Sequence, residues 1–192
     1  MARLKREESQ ALTRSKLLAS ALRLFARDGY AAASVDRIAE DAGFSKGAFY
    51  SNFDGKEQIY LEVLESYGEA NLARLLKAVD QAETPEQVID AVAGWATRTA
   101  RSGNWGLLVL EYARSTRHGA DVQAKQEAIF RAHWQVLGER LVVRLNLSGR
   151  DPGVLGALVF ELTYAPAMSF VESPSAGDLV SLALRAIFKE AS

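Results

Sequence analysis

Lys46 and Lys56 each stand in the first turn of an expected helix, where the positive end of the helix dipole disfavours a cation by about 0.3–1 kcal/mol. Both placements make sense if phosphates lie opposite, because the anion then meets the ammonium and the free amides of the helix end together. Between the lysines, Phe49 and Phe53 are spaced i, i+4 and turn inward. That leaves Ser45, Lys46, Gly47, Tyr50 and Ser51 facing out. Gly47 costs ~1 kcal/mol relative to alanine in a helix interior, and close approach of backbone to a DNA groove is a reason to carry it. Tyr50 and Asn52 can hydrogen-bond phosphate or touch base edges. Arg3, Lys5 and Arg6 can form a flexible arm over the DNA backbone or in a minor groove. Taken singly, each cation reads as a solvated surface residue or part of a disordered tail; together, in this spacing, they point to DNA.

Such a surface needs short, well-anchored elements to present it. No region alternates strictly between apolar and polar residues, and apolar residues recur at helical spacing almost throughout, so an all-α fold is expected. Leu17, Leu18, Ala21, Leu22, Leu24 and Phe25 form one face of a helix of about four turns that stops at Gly29. Ser34 caps a second helix, with Val35, Ile38, Ala39 and Ala42 inward and Gly43 at its end. Ser45 caps a very short third. Asp54 caps a fourth in a capping box with Glu57, and that helix runs to about Asp80. Two short helices joined by a turn containing glycine, residues 34–53, have the helix-turn-helix pattern. Further on, breaker pairs separate helices expected near 85–101, 104–116, 120–145, 152–171 and 175–189, which makes nine in all. The expected domains are 1–56 and 57–192.

The chain has 192 residues, a net charge of −1 and no cysteine. The missing thiols exclude disulfides, zinc–thiolate sites, iron–sulfur clusters and a cysteine nucleophile. The near-neutral total hides an asymmetry: residues 1–56 carry ten Lys/Arg against seven Asp/Glu, and the remainder 13 against 17. A basic head on an acidic body permits local contact with a polyanion. The two histidines, His118 and His133, lack metal-ligand spacing, and there is no glycine-rich phosphate loop and no nucleophile beside a base, so no enzyme, metal or cofactor is expected. The absence of a long apolar run and of a signal-peptide core leads to the expectation of a soluble cytoplasmic protein without membrane contact.

The stretch from Ser34 to Glu57, Ser-Val-Asp-Arg-Ile-Ala-Glu-Asp-Ala-Gly-Phe-Ser-Lys-Gly-Ala-Phe-Tyr-Ser-Asn-Phe-Asp-Gly-Lys-Glu, resembles the signature of TetR/AcrR-type bacterial transcriptional regulators. Upstream, Ala21 to Tyr30 is similar to the family's first helix. The resemblance covers about residues 13–64; beyond that, only size and the all-helical plan match. It implies a nine-helix TetR-like fold, in which a three-helix helix-turn-helix head stands on a helical-bundle lobe for ligand binding and dimerisation. It also implies a homodimer on a near-palindromic operator, with the third helix of each subunit in the major groove. The family's DNA contacts then carry over onto Ser45, Lys46, Gly47, Tyr50, Ser51, Asn52 and Lys56. Val35 and Asp36 stand where some members touch DNA, though Asp36 is a poor phosphate partner.

The resemblance further implies a ligand cavity between the central helices of the body. All three tryptophans, Trp95, Trp105 and Trp134, lie there. With Tyr112, Phe130, Phe160 and Tyr164 they form the expected lining for a small lipophilic molecule, and Glu111, His133, Thr163 and Tyr164 are candidate orienting groups. Each aromatic taken alone reads equally as plain core. The last two helices are apolar nearly all round, and a second subunit would cover them in a four-helix bundle. Leu155, Leu158, Leu162, Leu182 and Ile187 are its candidate contacts. Pro166 either shapes a cavity or bends its helix around the core. The functional expectation is a repressor released from double-stranded operator DNA by its ligand. The alternatives are a ligand-independent or activating regulator and a helical protein-interaction module.

Overall fold

The first helix, α1 (Ala2–Ala32), carries its own interruption: Gly29 sits at φ 80°, ψ 170°, a conformation open only to glycine, so the regular helix breaks where the sequence says it should. The computed structural model describes residues 2–101, 106, 120–169 and 173–191. Seven further helices follow among them: α2 (Val35–Asp41), α3 (Lys46–Tyr50), α4 (Lys56–Gln81), α5 (Pro85–Arg101), α6 (Ala120–Arg144), α7 (Pro152–Ser169) and α8 (Ala176–Ala191). The helix expected over 104–116, with Trp105, Glu111 and Tyr112, lies outside the described residues apart from Gly106. The α1 backbone is already helical at Arg3, Lys5 and Arg6, so the expectation of a flexible arm is corrected. Leu4 to Leu12 are mostly good helix formers, and no breaker separates them from the packed face that begins at Leu17.

Two compact units divide the chain, one running to Ser66 and the other taking up at Tyr67. The division falls inside α4, because the first turns of that helix belong to the head core. Leu17, Ala21, Leu24 and Phe25 of α1 are buried, as are Ile38 and Ala39 of α2, Phe49 and Phe53, and Ile59, Tyr60 and Val63 of α4. Phe25, Tyr30 and Tyr60 form a ring triangle with centroids 5.3–5.9 Å apart, worth about 0.5–1.5 kcal/mol per pair beyond area burial.

Local chemistry sets the short helices. Ser34 Oγ accepts from the Arg37 amide and Ser45 Oγ from the Ala48 amide, and Gly43 takes the left-handed φ of 78° that the turn between them requires. At α4 the expected cap is corrected by one residue. The carbonyl of Gly55, not a group of Asp54, takes the Ile59 amide at 3.3 Å, and the Asp54 amide donates to Gln58 Oε1 at 2.6 Å. A helix that starts one residue later moves the reciprocal capping position from Glu57 to Gln58.

In the second unit, α5 buries Val88, Ile89, Val92, Trp95, Ala96 and Thr99 on one face, the spacing of an amphipathic helix. Glycines let these helices meet backbone to backbone. A Cβ on Gly138 of α6 would lie 1.6 Å from the Pro152 carbonyl oxygen, and one on Gly156 of α7 would lie 1.9 Å from that of Trp134. α7 runs through Pro166 without interruption. Among the described residues no helix is long and apolar enough to cross a membrane.

Candidate nucleic-acid interface and cavity

α3 presents a small polar face. Ser45, Lys46, Gly47, Tyr50 and Ser51 are all exposed, Tyr50 to 52%, while Phe49 and Phe53 pack inward with ring centroids 5.5 Å apart. A Cβ at Gly47 would meet only Ser45 Oγ, at 3.7 Å, so nothing inside the head requires glycine there. Ser51 Oγ donates to the Gly47 carbonyl at 3.0 Å.

The two lysines behave differently from each other. Lys46 Nζ lies 3.0 Å from Asp36 Oδ2 on α2, both side chains exposed. The hydrogen bond and charge of Asp36 raise the Lys46 pKa above its ordinary value. Lys56 is half-buried and turned into the head: its ammonium donates to the Tyr30 carbonyl at 2.9 Å and stands 4.1 Å from the centre of the Tyr30 ring. The dipole cost that pointed to phosphates is thus offset inside the protein at both positions. Asn52 is half-buried as well, with Nδ2 donating to the Ala48 carbonyl at 2.8 Å. Its carboxamide closes α3 rather than joining the outward face.

Sequence reasoning missed what fixes this helix end. Arg14 donates to the Asn52 carbonyl and to both oxygens of Glu62, and its guanidinium lies 4.2 Å over the Phe53 ring. One side chain of α1 therefore ties the end of α3 to α4. On the other side, buried Ser20 Oγ lies 2.9 Å from the Ile38 carbonyl and 2.7 Å from Asp41 Oδ2. That contact and Arg23 lower the Asp41 pKa. Asp28 is held at about 2 by the hydrogen bond from Arg27, with Arg37 adding to it.

The second unit holds a cavity of about 250 Å³ between α4 and α5, lined by Tyr67, Asn71, Arg74, Leu75, Ala78, Trp95, Arg98 and Thr99. Of the expected lining that falls among the described residues, Trp95 is there; Trp105, Glu111 and Tyr112 lie outside them. Phe160 instead packs edge-on against Trp95 at 5.6 Å, and His133 stacks on Phe160 at 6.4 Å. Tyr164 and the Phe130–Trp134 stack extend these ring contacts, and burial raises the Tyr164 pKa. Among the described residues these five are found in ring contacts on α6, α7 and α5, outside the lining of this cavity. His133 sits against Gly68, where a Cβ would lie 2.4 Å from the imidazole. Asn71 Nδ2 and Trp95 Nε1 are buried with no hydrogen-bond partner among the described residues, each an omission that costs about 1–3 kcal/mol.

The proposed subunit contacts fall into two groups. Leu182 is 71% exposed, and Val154 beside Leu155 is 67% exposed. Leu155 itself is buried in the core of its own lobe, against which Leu162 and Ile187 also pack. Leu158 is half-buried. α7 packs against α6, α5 and α8, and the face carrying Leu155 is taken up there, while Val154 on α7 and Leu182 on α8 point away from the described core.

A capped three-helix head with a glycine turn, followed by a helical lobe with its own core, defines a helix-turn-helix architecture. Residues 17–63 match the family described as bacterial regulatory proteins, tetR family. The head of this chain, residues 17–63, is thus similar to that family. It is 38% identical over 69 residues to YuxN of Bacillus subtilis, an uncharacterized HTH-type transcriptional regulator, covering 36% of this chain and 24% of that protein. It is 28% identical over 138 residues to the HTH-type transcriptional repressor AcnR of Corynebacterium glutamicum, covering 70% and 64%. The chain thus spans less than two thirds of either relative. The transcriptional regulator FadR from Bacillus subtilis, solved in complex with stearoyl-CoA, has the same fold, with a TM-score of 0.70 at 17% identity over 91% of this chain and 97% of that one.

Proposed function

We propose that the protein is a homodimeric transcriptional repressor that reads operator DNA with α3 and leaves it when a small lipophilic molecule binds the second unit. The observation that carries the reading is the exposed face of Ser45, Lys46, Gly47, Tyr50 and Ser51 on a capped helix inside the stretch that matches the family. A side-chain-free Gly47 between a lysine and a tyrosine lets the backbone come close to a groove wall while flanking groups reach phosphates and base edges. AcnR, which is similar over most of this chain, is named a repressor, which supports repression, and FadR of the same fold was solved in complex with stearoyl-CoA, which supports a ligand with a lipophilic part. Exposed Leu182 and Val154, apolar side chains on the last two helices, support the dimer.

The test is a mobility-shift titration of the full chain on the intergenic DNA upstream of its own gene. A specific complex that weakens steeply with salt is expected. Equal binding to that DNA and to a scrambled duplex would exclude the operator reading.

A further inference from the structure

We infer that the cavity between α4 and α5 takes an anionic ligand, with one carboxylate or phosphate group set against Arg74 and Arg98 and an apolar body against Trp95 and Leu75. This rests on the reading of the second unit as the effector-binding part, and it specifies the chemistry of that effector. The polar lining is mainly cationic, with the Tyr67 and Thr99 hydroxyls and the Asn71 carboxamide beside the arginines. It holds two guanidiniums, one from each helix, and no carboxylate. Among the described residues neither arginine has an acidic partner; Arg74 donates to Asn71 Oδ1, and that contact orients the carboxamide so that Nδ2 is its free end.

Two of the donors are inside the protein, not at its surface. Asn71 is 8% and Trp95 5% exposed, and among the described residues the N–H groups of Asn71 Nδ2 and Trp95 Nε1 have no partner. Buried polar groups are almost always satisfied, so two such N–H groups beside two guanidiniums without an acidic partner among the described residues point to an acceptor-rich group. A guanidinium binds a planar carboxylate or a phosphate through parallel N–H···O bonds. A neutral molecule without an acceptor would leave the buried Asn71 Nδ2 and Trp95 Nε1 unmet, and the indole and Leu75 would supply only its apolar contact.

The experiment is isothermal titration calorimetry on the full chain with three probes of one shape: 2-naphthoate, 2-naphthyl phosphate and 2-naphthamide. At least one of the two acids should bind with an affinity ~10-fold or more above the amide, and whichever acid wins tells a carboxylate ligand from a phosphate one. In the Arg74→Gln/Arg98→Gln variant, both changes being at exposed positions, the preference for acid over amide should collapse while the circular dichroism spectrum is retained. An amide that binds as tightly as both acids overturns the inference, and so does a lack of binding by either acid at ~1 mM. The readout contains no DNA. An acid that binds with the stated preference but leaves operator affinity unchanged would keep this inference and sink the effector reading instead.

Discussion

Asp36 Oδ2 and Lys46 Nζ lie 3.0 Å apart and join α2 to the first turn of α3 on the outside of the head. In the proposed complex a phosphate reaching Lys46 meets this carboxylate first. Asp36 then acts as a brake that any duplex must overcome and that base contacts at the operator repay. Asp36→Asn should therefore tighten binding to non-operator DNA by about three- to tenfold and narrow the gap to the operator. Fluorescence anisotropy with both duplexes checks this, and weaker binding by the variant on both would show that the pair only positions α3.

Lys46 and Lys56 should separate in one pair of measurements. Lys46→Ala should weaken binding at all sequences alike and reduce the salt slope by ~1, without changing the melting temperature much. Lys56→Ala removes the tie to the Tyr30 carbonyl and ring, so it should destabilise the head by about 1 kcal/mol. If Lys56→Ala melts like wild type and loses only DNA affinity, its ammonium contacts phosphate as the sequence suggested.

Gly47→Ala should move stability and binding in opposite directions. Its Cβ would meet nothing closer than Ser45 Oγ at 3.7 Å, so the helix gains up to ~1 kcal/mol. The same methyl would stand between the backbone and the groove and cost operator affinity about tenfold. Thermal melts together with operator titration read both effects. An alanine variant that binds as wild type does would remove the groove from the explanation of this glycine.

For assembly, exposure decides which leucine is informative. Leu182→Arg, at a position 71% exposed, should yield a soluble, helical monomer by light scattering with loss of operator binding, because two heads must meet half-sites ~34–36 Å apart. Leu155→Arg, at a position 4% exposed, should unfold the lobe, since an unpaired charge is then forced into its core. A Leu182→Arg protein that remains dimeric would place the interface elsewhere.

Acid should act on the head through Asp28. Its pKa is lowered from 3.8 to about 2, first by the hydrogen bond from Arg27. A depressed carboxylate stabilises the fold fully above its unfolded pKa, and that contribution is lost as pH falls from 3.8 toward 2. Asp28→Asn should thus be less stable than wild type at neutral pH, with the two melting curves converging near pH 2. A constant difference between them down to that pH would mean that the Arg27 and Arg37 contacts are not what stabilises the carboxylate.

The parts legible in the sequence are those governed by neighbours in sequence. Ser34 and Ser45 cap because a hydroxyl three residues before an amide can reach it, and Gly29 and Gly43 show positive φ where the chain must turn. Phe49 and Phe53 face inward by helical period alone. The parts not legible depend on distant partners. Lys56 reaches back to Tyr30, and Arg14 reaches forward to Glu62, contacts that no local pattern encodes. A cavity in the body with Trp95 is expected from the sequence, but the polar part of its lining, Asn71, Arg74, Arg98 and Thr99, is not legible for the same reason: these residues meet only when α4 and α5 face each other. Arg74 and Arg98 look like ordinary surface cations until those two helices are set side by side.

The contact of α6 with α7 through Gly138 and Gly156 bears on how genetic data for this protein would read. No side chain fits at either position without moving a carbonyl of the opposing helix. In a screen for lost repression, substitutions there would score as badly as changes at Tyr50, although neither glycine belongs to the DNA-facing helix. A second channel that reports intracellular abundance would sort the two kinds of null allele: reading-face variants would accumulate normally, and the glycine variants would be cleared by proteolysis.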